Sequence, residues 1–383
     1  MNYKNEDVLI LSAIDPTHAY SCIKYLYRFL SKQDISIECW ARVPLKSCAL
    51  YYMWGKGAHS FCESPFMNIP KVRTYYMRLR GLSECFKYRN KTIICHDLFH
   101  YRSARIVKKL FKKTKLIIYF TEIYNNKHSK LLQNLQKYFV NHSDSADLMI
   151  ECDYQREKWR ITNNRIKFDS CTILNTIPYE EVKQYLCRQK VKNSVPKIAY
   201  SGGVHEKGEF SIIINALSEI NSNFEMDFYC FGSDTDLNEL EAECKQKIPG
   251  KYKLIRNLPR EDVFNQIYDA DAGITYYDPE YSVNTLYAAP TKFFEYIGLA
   301  IPVICSGNPS LDSLIDEYKL GVYMKENNSE GMKQCIEYII DHNDKRIEFS
   351  NNEIKAFKDH LCYEEQCKTA TSKILNLIRN NCL

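Results

Sequence analysis

Short apolar runs alternate with amphipathic stretches along nearly the whole chain, and they do so in two successive series. In the first, strands are expected at 8–14, 35–40, 92–95, 116–120, 148–151 and 171–174, with helices at 20–32, 103–113 and 130–142 between them. In the second, strands are expected at 197–201, 226–231, 252–255, 273–276 and 302–305. Helices are expected there at 210–219, 237–248, 260–270, 291–297 and 331–340. Strands alternating with helices of this length argue for βα units and parallel sheets. Between the two series, residues 179–195 are polar and lysine-rich and end at Pro196, which reads as a linker.

The 383 residues suit two domains at about 100–200 residues each. The expected fold class is therefore α/β, with two Rossmann-like, doubly wound parallel-sheet domains facing a cleft. The first is expected over 1–185 and the second over 195–360, with 361–383 as a closing helix that packs back toward the first. In such sheets a ligand lies at the carboxyl ends of the strands.

Composition narrows the setting. Hydrophobic residues make up 45% and charged residues 26%, as in soluble globular proteins. No apolar run approaches the ~20 residues that cross a bilayer. The opening run 8–14 directly follows Glu6 and Asp7 and reads as a strand rather than a signal peptide. The 16 cysteines are scattered without a CxxC pair, which suits reduced thiols in the cytosol. His96 and His100 stand four apart, but no third ligand is suggested, so no metal site is expected.

Charge is unevenly spread. Residues 1–190 hold 32 Lys+Arg against 17 Asp+Glu, a net of +15, whereas residues 191–383 hold 20 against 30, a net of −10. The cations concentrate in 71–91 and 102–115, interleaved with Tyr, Phe and Leu. Such a surface suits an anionic membrane face, where each Lys or Arg contributes ~1 kcal/mol. A solvated helix face is the plainer alternative. No recognition motif for nucleic acid accompanies the charge, so no nucleic-acid partner is expected. The expected location is cytoplasmic, peripheral on the inner face of the membrane.

Two segments carry chemistry. In KIAYSGGVHEKGEF, 197–210, a strand runs into Gly202-Gly203, then Lys207-Gly208, then a helix. Glycines let backbone N–H groups approach a ligand, a helix N-terminus favours anions, and Lys207 adds a cation. In 289–304, Pro290 suits the first turn of a helix, and Thr291, Lys292 and Glu295 follow on its opening turns. Lys292 and Glu295 are three apart and share a face. A Lys at that place is disfavoured by the helix dipole unless an anion sits there too. The triplet Asp234-Thr235-Asp236 spells DxD but precedes a helix, and capping explains it.

Together, SGGVHEKG and KFFEYIGLAIPV resemble the GT-B glycosyltransferases, specifically those like the retaining glycosyltransferase family 4. FYCFGSD at 228–234, YDADAGITYY at 268–277, ILNTIP at 173–178 and ICHDLF at 94–99 extend the likeness, which is detailed over 195–325 and weak before 170. The resemblance implies transfer of a sugar from a nucleotide-diphosphate sugar, with retention and without a metal or other cofactor. The acceptor would be a glycan or lipid-linked glycan in bacterial surface polysaccharide synthesis. Carried over by position, it implies that Gly202, Gly203 and Lys207 meet the donor diphosphate and that Glu295 holds the ribose hydroxyls. Thr291 amides and Lys292 would sit at the phosphates, and the main chain at Asn257 and Leu258 at the base. Glu122, with Thr121 beside it, would lie on the acceptor side, and Glu122 and Lys292 are the candidate catalytic residues.

The chain departs from the family at three places. Gly203 stands where Arg is common, Tyr287 stands where the first Glu of an E-x7-E pair is expected, and the first loop, 14–21, is poor in glycine. The missing Glu and Arg favour a second reading, a non-catalytic GT-B-like scaffold subunit, and a nucleotide-sugar 2-epimerase of the same fold is a third, against which the basic patch argues.

Overall fold

A computed structural model describes residues 7–13, 21–33, 35–44, 49–54, 59–61, 70–125, 128–187, 193–204 and 209–379. The chain divides into two compact units. One comprises Met1–Asn175 with Tyr363–Leu383, and the other Thr176–Cys362.

Among the described residues, the first unit is built on one sheet of eight strands: β1 (Asp7–Ser12), β2 (Ser36–Pro44), β3 (Ala49–Trp54), β4 (His59–Phe61), β5 (Thr92–His96), β6 (Lys115–Tyr119), β7 (Leu148–Glu151) and β8 (Asp169–Thr172). Their order across the sheet is β4-β3-β2-β1-β5-β6-β7-β8. From β2 through β8 every pairing is parallel. The strands β5 and β7 are buried at every position, as expected where helices cover both faces of a parallel sheet. At one edge, which the sequence did not mark, β3 and β4 extend the sheet as an antiparallel meander. Connections of a few residues permit only antiparallel neighbours, while a parallel return needs a crossover.

The second unit contains β9 (Lys197–Gly203), β10 (Glu225–Phe231), β11 (Tyr252–Arg256), β12 (Ala272–Thr275), β13 (Val303–Cys305) and β14 (Gly321–Tyr323). All are parallel, in the order β11-β10-β9-β12-β13-β14. The short edge strand β14 was not expected. Residues 179–186, read from sequence as the start of a linker, form the helix Tyr179–Leu186 within this unit. Glu180 and Glu181 in its first turn complement the helix dipole. Its Tyr185 hydroxyl donates to Asn265 Oδ1 at 3.0 Å.

The last long helix, Tyr363–Arg379, belongs to the first unit. Tyr363 is fully buried, its ring 5.3 Å from that of Tyr25, and Lys373 pairs with Asp169 at 2.6 Å.

Both sheets reverse direction at their first strand. The order changes hand between β1 and β5 in one unit and between β9 and β12 in the other. Such a switch point opens a crevice at the carboxyl ends of the strands. In the second unit the helix Thr291–Gly298 is locked beside that point by Tyr296. Its ring lies so close over Gly273 of β12 that an added Cβ there would be 2.6 Å from two ring carbons. Its hydroxyl oxygen accepts the Ser201 N–H of β9 at 2.7 Å. Gly273→Ala is therefore expected to lower unfolding stability by about 1–3 kcal/mol, read from the urea midpoint.

Candidate functional site

In the second unit the candidate residues gather at the strand ends around the switch point. Gly202 and Gly203 close β9, with Gly203 opposite Phe231 at the end of β10. The Val204 N–H donates to the Phe231 carbonyl at 2.9 Å, and the next residue, Gly232, donates its N–H to Asn257 Oδ1 at 3.4 Å. Asn257 follows β11 directly, with φ 52, a left-handed conformation that Asn tolerates better than most residues. Its own N–H donates to the Cys230 carbonyl at 2.8 Å. Asn257 is exposed and Leu258 partly so, which leaves this turn open to a ligand.

Lys292 crosses from the other side of the switch point. Its ammonium donates to the Tyr200 hydroxyl at 2.9 Å and lies 4.0 Å from the Tyr200 ring centre and 5.2 Å from that of Tyr277. Two aromatic faces hold a cation well where it is partly desolvated. Gly202 has φ +151, and a Cβ on it would sit 2.8 Å from Lys292 Nζ. The glycine therefore serves a second purpose, since it makes room for the lysine. Lys292 is the second residue of the helix Thr291–Gly298, whose N-cap, Pro290, supplies no side-chain cap. The opening amides, Thr291 among them, thus coincide with a held cation, an arrangement that suits an anion.

Pro290 stands at the N-cap (φ −79, ψ 133) rather than in the first turn. Gly298 does not supply the left-handed exit from the helix, since Ala300 does, with φ 56. Gly298 instead leaves space for Phe357, whose ring would be 3.1 Å from an added Cβ.

Lys292 and Glu295 take different partners although they are three residues apart. Glu295 is nearly buried, and its Oε1 accepts from Arg260 Nε at 2.6 Å. Arg260 also lies 3.5 Å from Glu181 and stacks on Phe264. Sequence reasoning missed Arg260, Tyr200 and Tyr277. Strand alternation did hold one signal, because Tyr200 and Gly202 must share a face of β9. Lys207 lies outside the described residues. Tyr287 caps the carboxyl end of the short helix Val283–Leu286. In the DxD segment, Ser233 is the N-cap and accepts the Asp236 N–H at 3.2 Å.

The first unit has its own polar cluster at its switch point. Ser12, at the end of β1, places Oγ 2.8 Å from His96 Nδ1 at the end of β5. His96 Nε2 lies 3.1 Å from Thr121 Oγ1, and that hydroxyl donates to Asp97 Oδ2 at 2.8 Å. Since Thr121 spends its proton on Asp97, His96 must donate from Nε2, and a neutral imidazole then accepts the Ser12 proton at Nδ1. Burial holds the His96 imidazole below its usual range, toward that neutral form, although Asp97 opposes the shift.

Glu122 follows Thr121 beyond the end of β6 and is half-buried. Arg160 donates to its carbonyl at 3.0 Å and Arg156 to that of Thr121 at 2.6 Å. Arg160 is fully buried, pairs with Glu151 and lies over the Phe120 ring at 3.6 Å. Two buried guanidinium groups thus set the backbone on which Glu122 stands.

Among the described residues, no group of three His, Cys, Asp or Glu side chains is placed to hold a metal ion. His100 is buried against Phe99 and Gly81.

A scan of protein-family models finds no match to the chain, and a search of curated proteins finds none in sequence. Solved structures do match, over nearly the full length. A glycosyltransferase from Rickettsia africae superposes with a TM-score of 0.72 at 11% identity, covering 98% of this chain and 100% of that one. HepE of Anabaena in complex with UDP and glucose gives 0.68 at 13%, covering 97% and 100%. The chain has the GT-B fold. The lipopolysaccharide outer core galactosyltransferase WaaB, in its apo form, gives 0.65 at 13%, covering 96% and 99%. At these identities it is the superpositions, not the sequences, that establish a shared GT-B architecture.

His100 gives this fold a measurable pH dependence. Burial, helped by Arg78, lowers its imidazole from 6.5 to about 4. Between those values the unfolded chain binds the extra proton and the folded chain does not. The stability that neutral His100 permits is complete above pH 6.5 and is lost as pH falls toward 4, by on the order of 3 kcal/mol. In urea titrations across that window, His100→Leu is expected to flatten the slope by one proton.

Proposed function

We propose that this chain is a glycosyltransferase that moves a sugar from a nucleotide-diphosphate sugar to a glycan or lipid-linked glycan acceptor. The reading covers assembly of a bacterial surface polysaccharide, with retention at the transferred sugar and without a metal. The observation that carries it is the Lys292 ammonium, cradled by Tyr200 and Tyr277 against Gly202, at the uncapped start of the helix Thr291–Gly298. HepE, which shares the fold, was solved with UDP and glucose, which supports a nucleotide-sugar donor.

In this reading the diphosphate lies between Gly202, Gly203, Lys292 and the Thr291 amides, with Lys207 as a further cation. Charge develops on the diphosphate as the bond to the sugar breaks, and fixed positive groups stabilise it there. Glu295 accepts the ribose hydroxyl protons while Arg260 holds its carboxylate, and the base meets the main chain of Asn257 and Leu258. Glu122 faces the acceptor. The acceptor's lipid would place the protein on the inner face of a cell membrane; among the described residues no helix is long and apolar enough to cross one.

Thermal shift against UDP, GDP, ADP and CMP compounds and their sugars tests donor binding. One nucleotide series is expected to raise the melting temperature, and failure of all of them sinks the reading. With that nucleotide, Lys292→Ala is expected to weaken binding about tenfold to a hundredfold, the value of a lost charged hydrogen bond. Calorimetric titration of Glu295→Ala separates two roles. A loss of similar size supports ribose contact, whereas full affinity with lowered stability reduces Glu295 to a counterion of Arg260.

A further inference from the structure

The cationic stretches noted in the sequence lie on neighbouring helices of the first unit. The helices Pro70–Lys87, Tyr101–Leu110 and Lys130–Val140 bury Met77, Tyr101, Ala104, Val107, Leu135 and Phe139 in one core cluster with β1, β5 and β6. Their outer surfaces are unusual in two ways. They expose large apolar side chains: Tyr75 at 71%, Leu79 at 62% and Leu110 at 63%, with Tyr76, Ile106, Leu131 and Val140 exposed to lesser degrees. They also lack exposed carboxylates. The three helices contain a single acidic residue, Glu84, which is 1% exposed and engaged by Arg80 and Lys87. Lys87, Arg102, Lys109, Lys130 and Lys137 are exposed among the apolar groups.

Cations alone would suit any polyanion. Cations set around exposed Tyr, Leu and Ile suit a surface that is charged outside and apolar a few ångströms below. We propose that the outer face of these three helices docks on an anionic lipid surface. Tyr75, Leu79, Ile106 and Leu110 enter the headgroup boundary, and the lysines and arginines meet the lipid phosphates. The inference deepens the proposed use of a lipid-linked acceptor and rests on that reading for its purpose, while the binding itself is measured without turnover.

Sedimentation of the full chain with sucrose-loaded vesicles, of phosphatidylcholine alone or mixed with phosphatidylglycerol, tests it. Binding is expected to the mixed vesicles only. Arg102→Glu/Lys109→Glu is expected to weaken it at least about 25-fold, since each cation near lipid is worth about fivefold. Leu79→Ser/Leu110→Ser leaves the charge unchanged and is expected to weaken it about tenfold. The proposal is overturned by equal or absent binding to the two vesicle types. It is also overturned by an unchanged Leu79→Ser/Leu110→Ser variant, or by tighter binding to duplex DNA than to the mixed vesicles. Each variant must keep its nucleotide-induced rise in melting temperature; for one that does not, the wild-type vesicle and DNA comparison decides. Nucleotide binding without vesicle binding sinks the docking face and leaves the donor reading intact, and the converse result sinks only the donor reading.

Discussion

The contact of Tyr296 with two strands at once organises the second unit. Its ring occupies the space that Gly273 leaves on β12, and its hydroxyl accepts the Ser201 N–H on β9. These two strands flank the reversal in strand order. One side chain therefore fixes the helix Thr291–Gly298 in register with the crevice, and through it the positions of Lys292 and Glu295. The hydroxyl is fully buried, and burial pushes it far above its usual range, so it is a neutral partner at neutral pH.

The first unit reaches a similar end with different chemistry. There the strands on either side of the reversal are joined by the polar chain from Ser12 through His96 and Thr121 to Asp97. Behind it, Arg156 and Arg160 bind the carbonyls of Thr121 and Glu122. Arg160 and Glu151 are both fully buried, so neither can lose its partner without leaving an uncompensated charge. Burial drives the Glu151 carboxyl upward and the nearby guanidinium groups pull it back.

Much of this was legible in the residues. Apolar runs four to seven residues long marked the parallel strands, because strands covered on both faces are apolar throughout. The paired glycines and the Pro-Thr-Lys opening of a helix marked the strand end and the helix start that meet at the second unit's switch point. The antiparallel strands β3 and β4 escaped notice, since their neighbours in space are set by short connections rather than by a pattern of their own. Arg260 escaped for a related reason. Its partner Glu295 is 35 residues away, and local sequence carries no record of such a pairing. The polar stretch at 179–186 looked like a linker because its helix buries only Val182 and Tyr185.

The placement of the helix Tyr363–Arg379 has a consequence for biosynthesis. This helix supplies the buried Tyr363 and Ile374 to a unit whose first strand is β1, so the first unit is discontinuous in the chain. On the ribosome, residues 176–362 emerge in one uninterrupted block, whereas the sheet begun by β1 waits for its last helix until that block has passed. The unit begun first is thus the unit finished last. Until then, the apolar surface that Tyr363 and Ile374 will cover is open to solvent or to a chaperone.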